Sequence, residues 1–218
     1  MHDHIIAVDV GTGSARAGVF DLHGHQIARH VTAISLFQSQ PLHLEQDSDE
    51  IWAAVCTAVR AAMSEAGLSS RDVAAIGFDA TCSLVVRDTH GMPLTVSTSG
   101  QNKLDTILWM DHRAIRETDE CNSTNDPLLQ RFGGRLSVEM QIPKLIWLKR
   151  HLPETWRQAG MIFDLADYLT WRATGINSRG HSPLAAKWGY GAIAPGARPD
   201  AFYRRVGLED LCEKSALP

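Results

Sequence analysis

Apolar residues gather in two short runs at the start of the chain, residues 5–10 and 17–20, on either side of a small, polar, glycine-bearing segment. Short apolar runs bounded by turn residues predict strands, so the pattern reads as a hairpin with a tight turn. Residues 26–36 predict a third strand in meander order, introduced by a turn at Asp21-Leu22-His23-Gly24. The period then changes. Ile51, Val55, Val59 and Met63 recur at helical spacing behind Ser48, Asp49 and Glu50, which predicts an amphipathic helix capped by Ser48 and closed at Gly67.

Residues 73–79 read as a buried strand and residues 83–88 as another, the second ending in a turn at Thr89-His90-Gly91. Residues 107–114 pass from apolar to charged, residues 118–126 form a polar loop or helix end, and Phe132-Gly133-Gly134-Arg135 predicts a turn. Pro143 suits the first turn of a helix carrying Leu145, Leu148 and Leu152. A further helix runs from Phe163 or Leu165 to Ala173 and stops at Gly175, with Asp164 and Asp167 near its start. Residues 178–199 are rich in Gly, Ala and Pro around Lys187-Trp188, and residues 199–211 read as a short helical close. Strands, a helix and strands again indicate an α/β domain. No internal repeat or low-complexity linker divides the chain, which stops at Leu217-Pro218 without a capping element.

Composition narrows the class. With 44% hydrophobic and 21% charged residues among 218, the chain has the make-up of a globular domain large enough for a sizeable core. A net charge of −4 argues against nucleic acid or an anionic membrane as partner, and no run of residues is long and apolar enough to span a bilayer. The first strand begins within a few residues of Met1, leaving no room for a signal peptide, so a cytoplasmic protein is expected. Cys56, Cys82, Cys121 and Cys212 are dispersed without a C-x-x-C pair, which predicts reduced thiols rather than a zinc site or disulfide framework. His2 and His4 lack ligand spacing and read as a solvated chain end.

The candidate chemistry lies in the hairpin. Asp9-Val10-Gly11-Thr12-Gly13-Ser14-Ala15-Arg16 puts a carboxylate at a strand end beside a glycine-bearing turn. Glycine has no Cβ and tolerates positive φ, so such a turn can approach a phosphate closely, while Thr12 and Ser14 add hydroxyls and Asp9 is placed for a divalent cation. Two familiar glycine loops fail on spacing. The next glycine is Gly18, inside a β-rich run, so a dinucleotide motif is not formed, and no lysine is placed to make a P-loop. Ser14 also lacks the G-x-S-x-G context of a hydrolase nucleophile. An ordinary hairpin whose glycines only make the turn stays open on these residues alone. Asp79 and Asp111 likewise come after apolar runs, at places where an open α/β sheet binds ligands, and Arg113, two residues beyond Asp111, is suited either to a forked bond to a carboxylate or to a place beside a sugar hydroxyl.

Together these segments carry a resemblance. The Asp9–Arg16 stretch resembles the first phosphate motif of the actin, Hsp70 and sugar-kinase superfamily. Phe78-Asp79-Ala80-Thr81-Cys82-Ser83, Trp109-Met110-Asp111-His112-Arg113-Ala114, residues 138–148 and the Lys187-Trp188 pair make the chain similar to the FGGY carbohydrate kinases, in their ribulokinase-like branch. The resemblance implies a ribonuclease H-like (actin-like ATPase) α/β domain, with a mixed sheet flanked by helices. It implies that Gly11, Thr12, Gly13, Ser14 and Arg16 face the phosphates of ATP, and that Asp9 holds Mg²⁺. It implies further that Ala80, Thr81, Asp111, Arg113, Glu139 and Lys187 bind a pentulose such as ribulose.

In such kinases a second, adenine-binding domain supplies the catalytic aspartate from a glycine-bearing segment, and nothing after Pro199 resembles it. Residues 1–218 are therefore expected to be the sugar- and phosphate-binding domain of a kinase that is a homodimer at full length. No catalytic base is expected in this chain and no turnover from it alone. A truncated sugar-binding or regulatory protein of the same fold is the alternative. An actin-like filament or chaperone domain would leave Trp109 to Arg113 without a role.

Overall fold

A computed structural model of the chain describes residues 3–192 and 194–212, so the expectations for His2 and for the end at Leu217-Pro218 lie outside the described residues. The chain begins with the expected meander: β1 (His4–Val10), β2 (Ser14–Asp21) and β3 (Gln26–Ala33). Two short strands come next, β4 (Phe37–Gln40) and β5 (His43–Gln46), then the helix α1 (Ser48–Glu65). β6 (Val73–Ala80), β7 (Leu84–Asp88) and the two-residue β8 (Thr106–Ile107) lead to the helices α2 (Ile115–Ser123), α3 (Gln141–His151) and α4 (Pro153–Gln158). The chain continues through β9 (Ala159–Asp164), α5 (Leu165–Thr174), α6 (His181–Lys187) and α7 (Asp200–Arg205).

The strands form two sheets. One has the order β3-β2-β1-β6 and is mixed, because β6 runs parallel to β1 while the meander is antiparallel; the other has the order β4-β5-β8-β7-β9. Alternation along β1 and β2 turns Ile6, Val8, Val10, Ala15, Ala17 and Val19 to one face, where Ile51, Val55, Ala58 and Ala62 of α1 cover them. Each fully buried Val or Ile in this layer contributes roughly 1.5–3 kcal/mol. Val59 and Met63 pack at its margin.

Three expectations are corrected. Asp47, not Ser48, caps α1, its Oδ1 accepting from the N–H groups of Asp49 and Glu50 at 2.9 and 3.1 Å. Ser48 is turned inward, where its hydroxyl donates to Asp105 at 2.7 Å. β6 is not buried: it is an edge strand, and Ile76 is 42% exposed. An apolar run signals a strand without saying whether anything packs on it. Finally, of the two starts offered for the later helix, α5 takes Leu165, with Phe163 in β9, and the four short strands β4, β5, β8 and β9 complete a second sheet that the pattern did not announce.

A buried cation ties this second sheet to the helices. Arg87 of β7 pairs with Asp105 at 3.0 Å and Asp49 at 3.1 Å, donates to Ser48 Oγ, and reaches the Tyr168 hydroxyl of α5 at 3.0 Å. Cys56, Cys82, Cys121 and Cys212 are free, and among the described residues no helix is long and apolar enough to cross a membrane.

Candidate active site

The hairpin loop is small and largely committed on one side. Gly11 N–H donates to Ser14 O at 3.0 Å, Gly13 O accepts from Ile34 N–H at 3.1 Å, and Thr12 O accepts from Gln46 Nε2 at 2.9 Å. Among the described residues the N–H groups of Thr12 and Gly13 have no hydrogen-bond partner, so the loop presents two bare donors. Neither Gly11 nor Gly13 has a positive φ, which corrects half of the argument for glycine here. Their value is space. A Cβ on Gly13 would meet nothing within 4 Å, so the loop backbone is open to a close-approaching group. A Cβ on Gly11 would fall 2.5 Å from Arg16 Nη2, and that guanidinium is paired with Asp9 at 3.1 Å. The Asp9 side chain is 55% exposed.

The parallel register of β1 and β6 sets Asp9 beside Asp79 and Val10 beside Ala80, so the two strands end together. Thr81 N–H extends the ladder to Val10 O at 3.0 Å, and Ser83 folds back with its hydroxyl 3.1 Å from Thr81 Oγ1. Asp79 is exposed and accepts only from Ala80 N–H at 3.0 Å. Residues 78–82 wall a cavity of about 240 Å³, closed on the far side by Asp164 and by Ser182, Pro183 and Ala186 of α6. Lys187 comes directly after Ala186; the residue is half-buried, and its ammonium has no hydrogen-bond or ion-pair partner among the described residues. It lies within electrostatic reach of Cys82 and Asp164. The structure therefore brings together Asp9, Gly11 to Ser14, Arg16, Ala80, Thr81 and Lys187.

Burial raises the Asp164 carboxyl from its ordinary 3.8 to about 6, moderated by donation from Trp188 Nε1 and from Gln141 Nε2 at 3.1 Å. A carboxyl raised on folding stabilises fully below its unfolded value, and that stability is lost as pH rises through about 6. Between pH 5 and 7.5 this group costs the wild-type chain about 1–1.5 kcal/mol. Urea denaturation across that range is expected to show the loss in the wild type and a correspondingly flatter profile in Asp164→Asn.

Asp111 and Arg113 require a correction. Both side chains are fully buried and engaged with each other: Arg113 Nε and Nη2 donate to the Asp111 carboxylate at 2.8–2.9 Å, and Leu44 N–H donates to Asp111 Oδ2 at 2.6 Å. Arg113 also pairs with buried Glu45 at 3.0 Å, donates to Val96 O at 2.7 Å and lies over the Trp147 ring. In this arrangement neither reaches a solute, and together they anchor the turn that carries Trp109. Glu139 does stay at the surface, 3.7 Å from His112 Nε2.

The residue that unites the two strand ends is Trp109, which the sequence showed only as part of a motif. Its indole Nε1–H donates to Thr12 Oγ1 at 3.1 Å, and its backbone N–H donates to Ser83 Oγ at 3.1 Å. One half-buried side chain thus touches the glycine loop while its backbone holds the β6–β7 loop. Among the described residues no three His, Cys, Asp or Glu side chains converge on a metal position. A cation held mainly by phosphate oxygens and water needs only one or two carboxylates, and Asp9 with its register neighbour Asp79 fits that requirement.

Residues 4–188 match the model of the FGGY family of carbohydrate kinases, N-terminal domain. An FGGY carbohydrate kinase domain-containing protein of Xenopus laevis is 44% identical over 96% of the chain and 38% of its own length. A D-ribulokinase of Saccharomyces cerevisiae is 45% identical over 94% of the chain and 30% of its own length. The crystal structure of a xylulose kinase from Rhodospirillum rubrum superposes with a TM-score of 0.81 at 20% identity, covering 94% of this chain and 41% of that one. The chain thus spans about a third of the length of these curated relatives.

Proposed function

The chain belongs to the FGGY family of carbohydrate kinases, and from that premise we propose that residues 1–218 are the sugar- and phosphate-binding domain of a kinase that transfers the γ-phosphoryl of ATP to a primary hydroxyl of a pentulose such as ribulose. The observation that carries this reading is the convergence of two bare loop N–H groups and a wall-lined cavity at the shared ends of β1 and β6. The name of the yeast relative favours ribulose among the pentuloses.

In this reading Thr12 and Gly13 N–H groups bind anionic phosphate oxygens, in the space that the missing Cβ of Gly13 leaves open. Asp9, with Asp79 beside it, would hold Mg²⁺, which supplies charge neutralisation for phosphoryl transfer when bound. Ala80 and Thr81 form one wall of the sugar site, with Lys187 offering its unpartnered ammonium to a hydroxyl and Glu139 at the rim. Asp111 and Arg113 act indirectly, by holding the turn behind Trp109. Positioning and water exclusion are the main work of such a domain. The proton-accepting aspartate is assigned to the part of the relatives beyond the matched segment. We place the protein in the cytoplasm and expect a homodimer of the full-length kinase.

Calorimetric titration with D-ribulose and L-ribulose tests the reading. Saturable binding without nucleotide is expected, and a flat titration with every pentulose sinks it. Mixing the chain with a separately expressed C-terminal portion from a full-length relative tests transfer: restored ATP-dependent turnover supports the kinase, while sugar binding with persistent silence supports a non-catalytic sugar-binding protein. Gly13→Ala should fold as the wild type does, since its backbone is unstrained and its surroundings open. It is expected to bind Mg·ATP about tenfold more weakly, because a methyl then stands where charged oxygens must approach two amides.

A further inference from the structure

We propose that Lys144 is a positioning residue: from beneath the Trp109 turn it fixes the indole that in turn holds Thr12 of the glycine loop. Its place in the fold is costly. Lys144 is fully buried, lies in the first turn of α3 where the helix dipole disfavours a cation, and has no carboxylate within hydrogen-bond reach among the described residues. Asp111, Lys187, Arg113 and Glu139 are among the charges that act on it.

Its ammonium is spent on two backbone carbonyls, Leu108 O at 2.8 Å and Trp109 O at 2.9 Å. Leu108 O also accepts from Asp111 N–H at 3.0 Å, which closes the turn, so Lys144 grips the turn at its mouth and at its first corner. Trp109 then donates from its indole to Thr12 Oγ1. The chain of contacts runs from α3 through a buried cation and one turn to the loop with the two bare N–H groups. A lysine kept only for bulk would not need both carbonyls, and an apolar side chain of similar length would fill the same volume without the desolvation penalty.

The functional meaning of this link rests on the sugar-kinase reading above, but the link itself is tested without it. In ¹⁵N-labelled protein, Lys144→Met is expected to shift the Trp109 indole signal and the Thr12 and Gly13 amides, and to speed solvent exchange of that indole N–H about tenfold. The indole of Trp156, which donates to Asp210 at 2.6 Å, should stay in place. Unmoved Trp109 and loop signals overturn the proposal, as does a uniform shift of all indoles, which marks a merely structural lysine. Should Lys144→Met not fold, two measurements decide. Through-hydrogen-bond couplings from Lys144 Nζ to the Leu108 and Trp109 carbonyl carbons are expected in the wild type, and Thr12→Val, at the surface end, should release the Trp109 indole to the same tenfold faster exchange. Missing couplings or an indifferent indole sinks the idea. A failed ribulose titration with these signals intact would count against the sugar reading alone.

Discussion

Replacing Arg113 with methionine is expected to cost about 3–5 kcal/mol of unfolding free energy, a fall in melting temperature of roughly 6–20 °C for a chain of this size. The guanidinium is fully buried between two fully buried carboxylates, Asp111 and Glu45, and also satisfies the Val96 carbonyl. Removing it leaves both carboxylates without their cation in a medium where an unpaired charge is expensive. The origin of the loss is separable. The triple change Glu45→Gln, Asp111→Asn, Arg113→Met removes the charges together and is expected to recover part of the deficit, because a buried ion pair adds little net stability while a broken one is a heavy liability. Arg113→Lys should fall between, since an ammonium cannot reproduce the forked contact to Asp111 and the bond to Glu45 together. If Arg113 served the sugar by direct contact, Arg113→Met would instead keep its stability within about 1 kcal/mol of wild type and lose ribulose binding. Urea denaturation and calorimetry of the same variant therefore distinguish an anchoring role from a binding one.

The fate of the motif residues shows what a sequence discloses. The hairpin, α1 and α5 were legible because local periodicity and turn chemistry decide them: alternation along β1 and β2, fourfold spacing after Asp47, and Gly67 and Gly175 in left-handed conformations at the helix ends. The second sheet was not, because β4, β5 and β8 have at most four residues each and owe their existence to long-range pairing rather than to their own pattern. Ser48 and Asp47 are both good caps, and only the distant Asp105 determines which one is free to act. In the same way Asp79 and Asp111 look alike as carboxylates after apolar runs, yet one is exposed beside Asp9 and the other is sealed against Arg113. Lys144 and Glu45 gave no signal, since nothing local to either predicts burial of a charge. The resemblance pointed to a region, and the contacts then divided its residues into exposed ones, which the proposal turns toward a ligand, and buried ones that hold their neighbours in place.

Lys187 is the side chain on which the sugar reading is most exposed to test. It comes after the α6 residues that close the cavity opposite Thr81, and its ammonium carries no internal bond among the described residues while remaining half-buried. A half-buried cation without a partner gains when a hydroxyl or phosphate oxygen supplies one, and a hydrogen bond to a charged group is worth about 1.5–3 kcal/mol. Lys187→Met keeps the length of the stem and removes only the charge and its donors. It is expected to weaken ribulose binding about 10- to 100-fold with an unchanged denaturation midpoint, because no internal contact is broken. Arg113 and Lys187 thus behave oppositely: one variant should destabilise the domain and the other should leave its stability intact while weakening ribulose binding. Equal ribulose affinity in Lys187→Met would remove this residue from the proposed site. A stability loss of several kcal/mol would show that the ammonium is spent on the protein itself, and would move the sugar toward Glu139 and His112.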